Sequence, residues 1–285
     1  MDSTVRELRL RTGITVPCFV DGRLVHGRAA GLPLLLLHPW GESRHCFDRL
    51  IPLLREGSDA LAIIAPDLRG QGEAAKPADG YSLEEQAEDV AALLEALGIP
   101  EAYVLGSSSG GYVAQQLAVT HPETVAALVL VGSPLSLKGR PAFADDVEQL
   151  TDPVDPDWVR ESLSWFRLLH TVPAWYIEDR IRDGTAMPAH AWKAILHGLC
   201  EAVPPTEAGT IDVPTLILWG AHDSLLPRRH QEALAARIRS SRLKMYESTG
   251  HLVLWEVPER VAEDTAAFLA AQPDAWAVSK RRRPG

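Results

Sequence analysis

Val104-Leu105-Gly106-Ser107-Ser108-Ser109-Gly110-Gly111 ends an apolar run and opens a helical one. G-x-S-x-G between a strand and a helix is the sequence form of a tight turn that lifts its middle serine clear of a sheet. That serine is Ser108. Gly106 and Gly110 lack the Cβ atoms that would keep strand and helix apart. A serine hydroxyl is a weak nucleophile on its own, so the turn gains meaning only with a base and an orienting acid elsewhere in the chain.

Outward from the turn, the pattern alternates. Residues 5–10 and 14–20 read as a hairpin about Thr12-Gly13, with a further turn at Asp21-Gly22. Residues 34–37 and 61–65 are unbroken apolar runs, as expected of strands buried on both faces. Ser43 is placed to cap a helix carrying Phe47, Leu50, Ile51 and Leu54 on one side. Ser82 with Glu85 forms a capping box before a helix that buries Val90, Leu93, Leu94 and Leu97 and stops at Gly98. Strands follow at 103–105 and 125–131, with the helix 112–119 between them. Such repeated crossovers build an α/β fold with a mostly parallel central sheet flanked by helices.

The alternation breaks from about 135 to 211, where seven prolines separate short amphipathic pieces. It returns with a strand at 215–219, a helix at 229–239, a strand at 242–246 and a helix after Pro258. The expected division is therefore a core of 1–134 and 212–272, an inserted helical cap at 135–211, and a tail at 273–285.

Two late strands supply the missing partners. The run 215–219 leads into Gly220-Ala221-His222-Asp223, and 242–246 leads into Ser248-Thr249-Gly250-His251. Asp223 and His251 thus fall past the C-terminal ends of strands, the edge where open α/β sheets carry their sites. Ser108 as nucleophile, His251 as base and Asp223 as its orienter make a complete acyl-transfer set. His222 is a rival base, but it shares a loop with the acid and leaves His251 without a role. A developing oxyanion needs backbone donors. Pro39 has no N–H, so Trp40 in His38-Pro39-Trp40-Gly41 and Ser109 at the helix start are the expected pair. His38, Asp67 and Arg69 read as scaffold for turns.

Bulk composition narrows the partners. An apolar fraction of 46% supports a large core, and a formal charge of −10 disfavours nucleic acid and anionic membrane surfaces. The longest apolar run, near 32–37, is too short to span a bilayer. Cys18, Cys46 and Cys200 have no disulfide or metal spacing, so neither metal nor cofactor is expected. The polar N-terminus points to a cytoplasmic protein. Lys280-Arg281-Arg282-Arg283 reads as a frayed basic tail. The oligomeric state is open.

The separated motifs together resemble the α/β-hydrolase superfamily, in the branch with a helical cap after the sixth strand. His38-Pro39-Trp40-Gly41 is similar to the family's oxyanion turn, with Pro39 in place of a glycine. Pro66-Asp67-Leu68-Arg69-Gly70-Gln71-Gly72 is similar to its Asp-x-Arg-Gly-His-Gly turn, with Gln71 in place of histidine. The resemblance implies the roles above for Ser108, Asp223, His251, Trp40 and Ser109. A serine nucleophile separates the chain from the dehalogenase and epoxide hydrolase relatives, which use aspartate there.

Four of the eight tryptophans lie in the insertion, and Trp158, Trp165 and Trp175 are the expected cleft aromatics. The expected function is a serine hydrolase of carboxylic esters or lactones of an apolar or aromatic small molecule. A carbon–carbon bond hydrolase of a diketone-type substrate is the alternative within enzymes. A ligand-binding or signalling protein with a slow triad is the alternative from another class.

Overall fold

The four consecutive leucines of β3 (Leu34–Leu37) are all buried, Leu35 and Leu37 in the core on one face of the sheet, Leu34 and Leu36 in the core on the other. A strand's side chains alternate between faces, so an unbroken apolar run belongs where both faces are covered. The computed structural model describes residues 3–24, 27, 29–57, 61–139 and 141–272. The basic tail lies outside them.

β1 (Thr4–Arg9) and β2 (Thr15–Val20) form the expected antiparallel hairpin, with Thr4 opposite Val20. β2 runs antiparallel to β4 (Ile63–Pro66). The remaining pairs are parallel: β3 lies between β4 and β5 (Ala102–Ser107), followed by β6 (Val125–Val131), β7 (Thr215–Gly220) and β8 (Ser241–Tyr246). The chain leaves β3 for one neighbour, β4, and later returns to the other side as β5. A crevice opens at such a reversal, outside the C-terminal strand ends. The loop after β3 and the turn after β5 both end there.

One face of the sheet carries α1 (Leu50–Gly57) and α11 (Pro258–Ala270); the other carries α2 (Leu83–Ala96), α3 (Ser109–Thr120) and α9 (Arg228–Arg237). The Ser82 capping box is present. Ser82 Oγ accepts from Glu85 N–H at 3.2 Å, and Glu85 Oε2 accepts from Ser82 N–H at 3.0 Å. Such a cap contributes about 1 kcal/mol. Ser43 caps as expected, accepting from His45 N–H, but it opens a short 3₁₀ turn at Arg44–Phe47, and α1 starts only at Leu50.

Between β6 and β7 the described residues form helices only: α4 (Ala144–Glu148), α5 (Pro156–Ser162), α6 (Ala174–Ala186), α7 (Ala189–Glu201) and α8 (Pro205–Ala208). Pro156 and Pro205 open their helices, and Pro173 and Pro188 occupy the positions just before them. Proline is pre-shaped for a helix start and lacks only an N–H that would have no partner there. With Pro204 just before Pro205, five of the seven prolines that interrupt the sequence pattern thus stand at helix starts, whereas Pro141 and Pro153 lie in the connections. The four-residue α10 (Val253–Glu256) after His251 has no counterpart in the sequence reading. Among the described residues, no helix is long and apolar enough to cross a membrane.

Candidate active site

Ser108 sits at φ 49°, ψ −120°, and is the one non-glycine residue with positive φ among those described. Holding a β-substituted residue there costs about 1–3 kcal/mol, met by the packing around it. That packing is close enough to need glycine. A Cβ on Gly106 would strike Gly110 O and Gly111 Cα, and one on Gly110 would strike the carbonyl oxygens of Leu37 and His38. Strand β5, helix α3 and the loop after β3 therefore lock together around the serine.

The structure brings the three expected side chains into one line. Ser108 Oγ lies 3.1 Å from His251 Nε2, and His251 Nδ1 lies 2.7 Å from Asp223 Oδ2. The second Asp223 oxygen accepts from the N–H groups of Leu225 and Leu226, each at 2.8 Å. With Nδ1–H given to the carboxylate, the ring's lone pair is on Nε2 and faces the serine. His222 is exposed on the Asp223 loop, and its backbone N–H bonds Thr249 O.

The residues expected as scaffold fill that role around the loop after β3. His38 is fully buried; its Nδ1 lies 2.9 Å from Pro39 O, and Nε2 accepts from Leu68 N–H at 2.9 Å. Burial lowers its pKa, consistent with a neutral ring. Asp67 accepts from the N–H groups of Arg44 and Glu73 and pairs with the Arg44 guanidinium. Arg69 forms two bonds to Asp89, at 2.7 and 2.8 Å. Gln71 Oε1 accepts from Gly41 N–H at 2.8 Å, tying this turn to the one that carries Trp40. Of the two expected oxyanion donors, Trp40 N–H already has an acceptor. It donates to Ser109 Oγ at 2.6 Å.

A cavity of about 330 Å³ opens above Ser108 and His251. This is within the range of small-molecule sites. Its apolar lining comes from both the core and the insertion, including Trp40, Phe143, Phe166, Leu196, Leu199 and Trp255. Trp158, Trp165 and Trp175 do not line it, which corrects the sequence expectation. Trp158 packs edge-on against Trp192 and Trp165, with ring centres 5.4 and 5.7 Å apart. Trp165 stacks behind Phe143 at 4.4 Å, one layer removed from the cavity. Trp175 is 53% exposed, because α6 buries the stripe of Tyr176, Arg180, Ile181 and Gly184. Helical spacing brings large rings together, but it does not say which ring faces out.

Three further residues shape the site, and of these only Phe166, one of the aromatics of the insertion, stands out in the sequence. Phe166, from the insertion, stacks on the His251 ring at 4.9 Å. Glu256, in α10, accepts from Gly250 N–H through one oxygen and from Leu169 and His170 N–H through the other. It thus joins the His251 loop to the insertion. Glu42 lines the cavity with one oxygen unpartnered, and burial outweighs the attraction of Arg180 to push its carboxyl up to about 8. Each depends on contacts between segments distant in sequence. Among the described residues no His, Cys, Asp and Glu group is arranged to hold a metal.

Residues 33–258 match the family model described as the alpha/beta hydrolase fold. The chain is 30% identical over 272 residues to 2-hydroxymuconate semialdehyde hydrolase of Pseudomonas sp. strain CF600, covering 90% of this chain and 92% of that protein. It is 32% identical over 232 residues to the pimeloyl-[acyl-carrier protein] methyl ester esterase of Neisseria meningitidis serogroup A, covering 76% and 70%. An esterase from Rhodococcus sp. ECU1013 superposes with a TM-score of 0.79 at 26% identity, covering 94% of this chain and 99% of that one. With the strained serine turn and the switch-point crevice, these matches establish that the chain belongs to the α/β-hydrolase family.

Proposed function

We propose that the protein is a serine hydrolase that cleaves a carboxylic ester or lactone of an apolar or aromatic small molecule through an acyl-enzyme. The observation that carries this reading is the hydrogen-bonded line from Ser108 through His251 to Asp223 at the floor of an apolar cavity. His251 Nε2 takes the Ser108 proton as Oγ attacks the carbonyl carbon. The tetrahedral oxyanion forms beside the N-terminus of α3, where the first N–H groups have no helical partner. His251 returns the proton to the leaving alkoxide, and the alcohol departs. Water then attacks the acyl-serine with His251 again as base, releasing the acid and restoring Ser108. Asp223 fixes the ring tautomer throughout.

The insertion acts as a cap in this reading, since Leu137, Phe143, Phe166, Leu196 and Leu199 wall the cavity above the serine. The same residues support a second reading, favoured by the likeness to 2-hydroxymuconate semialdehyde hydrolase along most of both chains. In it, water cleaves a carbon–carbon bond next to a ketone in a diketone-type substrate. A panel of nitrophenyl esters, lactones and a vinylogous diketone separates the two. Ester or lactone turnover far above diketone turnover, with a fluorophosphonate adduct on Ser108, is the expected result. Turnover of the diketone alone would select the second reading, and no turnover together with no adduct would overturn both.

A further inference from the structure

The bond from Trp40 N–H to Ser109 Oγ places a side-chain hydroxyl on one of the expected oxyanion donors. At 2.6 Å, the Ser109 hydroxyl lies where an oxyanion would have to lie to use that N–H directly. The hydroxyl is buried and borders the cavity beside Ser108. It accepts from Trp40, and among the described residues its own hydrogen has no acceptor. Its backbone N–H belongs to the unpaired first turn of α3. One residue therefore presents two donors, a backbone N–H and a side-chain O–H, next to the reacting serine.

We propose that the Ser109 hydroxyl is a catalytic donor to the oxyanion, relaying the polarity of Trp40 N–H. The inference rests on the acyl-transfer reading above. The O–H points to the developing negative charge while the oxygen's lone pair stays on Trp40 N–H. Accepting one hydrogen bond makes the hydroxyl a stronger donor of the next, so the pair acts in series. No bond to Ser109 is made or broken; its proton stays on Oγ throughout. The rival role for the same geometry is a plug, in which the hydroxyl occupies the oxyanion position and must rotate away before Trp40 N–H can serve.

The two roles predict opposite signs. For a donor, Ser109→Ala lowers kcat on a nitrophenyl ester by about 100-fold with KM little changed. Affinity for an alkyl boronic acid, which forms a tetrahedral adduct on Ser108, falls in step. Affinity for a non-reactive alcohol that fills the cavity stays the same. Ser109→Thr, which keeps a hydroxyl, recovers most of the loss. A kcat for Ser109→Ala at or above the wild-type value would overturn the proposal in favour of a plug. Equal weakening of the boronic acid and the alcohol would overturn it in favour of a merely structural role. Fluorophosphonate labelling of the wild type keeps the two levels apart. An adduct on Ser108 with unimpaired Ser109→Ala turnover removes only the donor role, whereas the lack of any Ser108 adduct removes the acyl-transfer reading beneath it.

Discussion

Single side chains at this site differ sharply in how much they gain from their neighbours. His251 and His222 are both histidines past late strands. Only His251 has a serine on one nitrogen and a carboxylate on the other. His251→Gln should lower kcat/KM by at least about 1000-fold. His222→Gln, at an exposed position, should leave it within a factor of two or so of the wild type. Ester assays on the two variants check this, and an inactive His222→Gln would mean a different base. Glu42 gives a pH signature in stability. Its folded-state carboxyl, at about 8, stays protonated long after the unfolded chain ionises near the ordinary 4.5. The unfolded state then binds fewer protons, so stability falls as pH rises between those values and levels off above 8. The penalty added between pH 5 and pH 8 is roughly 3 kcal/mol. Glu42→Gln should remove that part of the slope in urea unfolding at the two pH values. A slope identical to wild type would show Glu42 ionised throughout, held by Arg180.

At the scale of elements, the turn from β5 to α3 depends on space more than on conformation. Gly110 has an ordinary φ, yet an added Cβ would meet two backbone oxygens that cannot move without shifting β3. Gly13 has φ 86° in the first hairpin and nothing within 4 Å of an added Cβ. Gly13→Ala should therefore cost about 1 kcal/mol, the conformational penalty alone. Gly110→Ala should cost well above about 3 kcal/mol or abolish folding. Equilibrium unfolding of both variants tests the ordering, and a mild Gly110→Ala would mean that the turn can relax. These local features were legible in the sequence because strand runs, caps and glycine spacing are short-range signals. Ser82 with Glu85, the leucines of β3 and the G-x-S-x-G turn each read correctly from a few neighbours. Ser43 misled in extent, because a cap residue specifies where a turn opens and not whether it continues as 3₁₀ or α.

Across the whole molecule, Ser108, Asp223 and His251 come from the core and much of the cavity wall from the insertion. Replacing Phe143 or Phe166 by Ala should weaken kcat/KM for a bulky aromatic ester by about 1–3 kcal/mol, and Phe143→Ala should spare acetate esters. Phe166 also stacks on His251, so its variant should lose some activity on both substrates, unlike Phe143→Ala. Trp175→Ala should change neither. Equal losses on short and bulky esters at Phe143 would mean that the insertion does not read substrate size. The order of Ser108, Asp223 and His251 was legible because each follows a strand end, and parallel strands bring those ends to one edge. The cavity wall was not. Trp158, Trp165 and Trp175 match the wall aromatics in type and spacing, but packing against Trp192 and Phe143, or the outward face of α6, decides otherwise. The stacking of Phe166 and the bonds of Glu256 arise between segments more than 80 residues apart, a separation no local pattern records.

The proposed covalent chemistry at Ser108 ties these scales together, and rapid-quench mass spectrometry of the wild type with a nitrophenyl ester reads it in one measurement. A burst of nitrophenol equal to the enzyme concentration should accompany an acyl group on the peptide carrying Ser108, and Ser108→Ala should give neither. An acyl group on Ser107, on Ser109 or on no serine, with turnover continuing in Ser108→Ala, would contradict it.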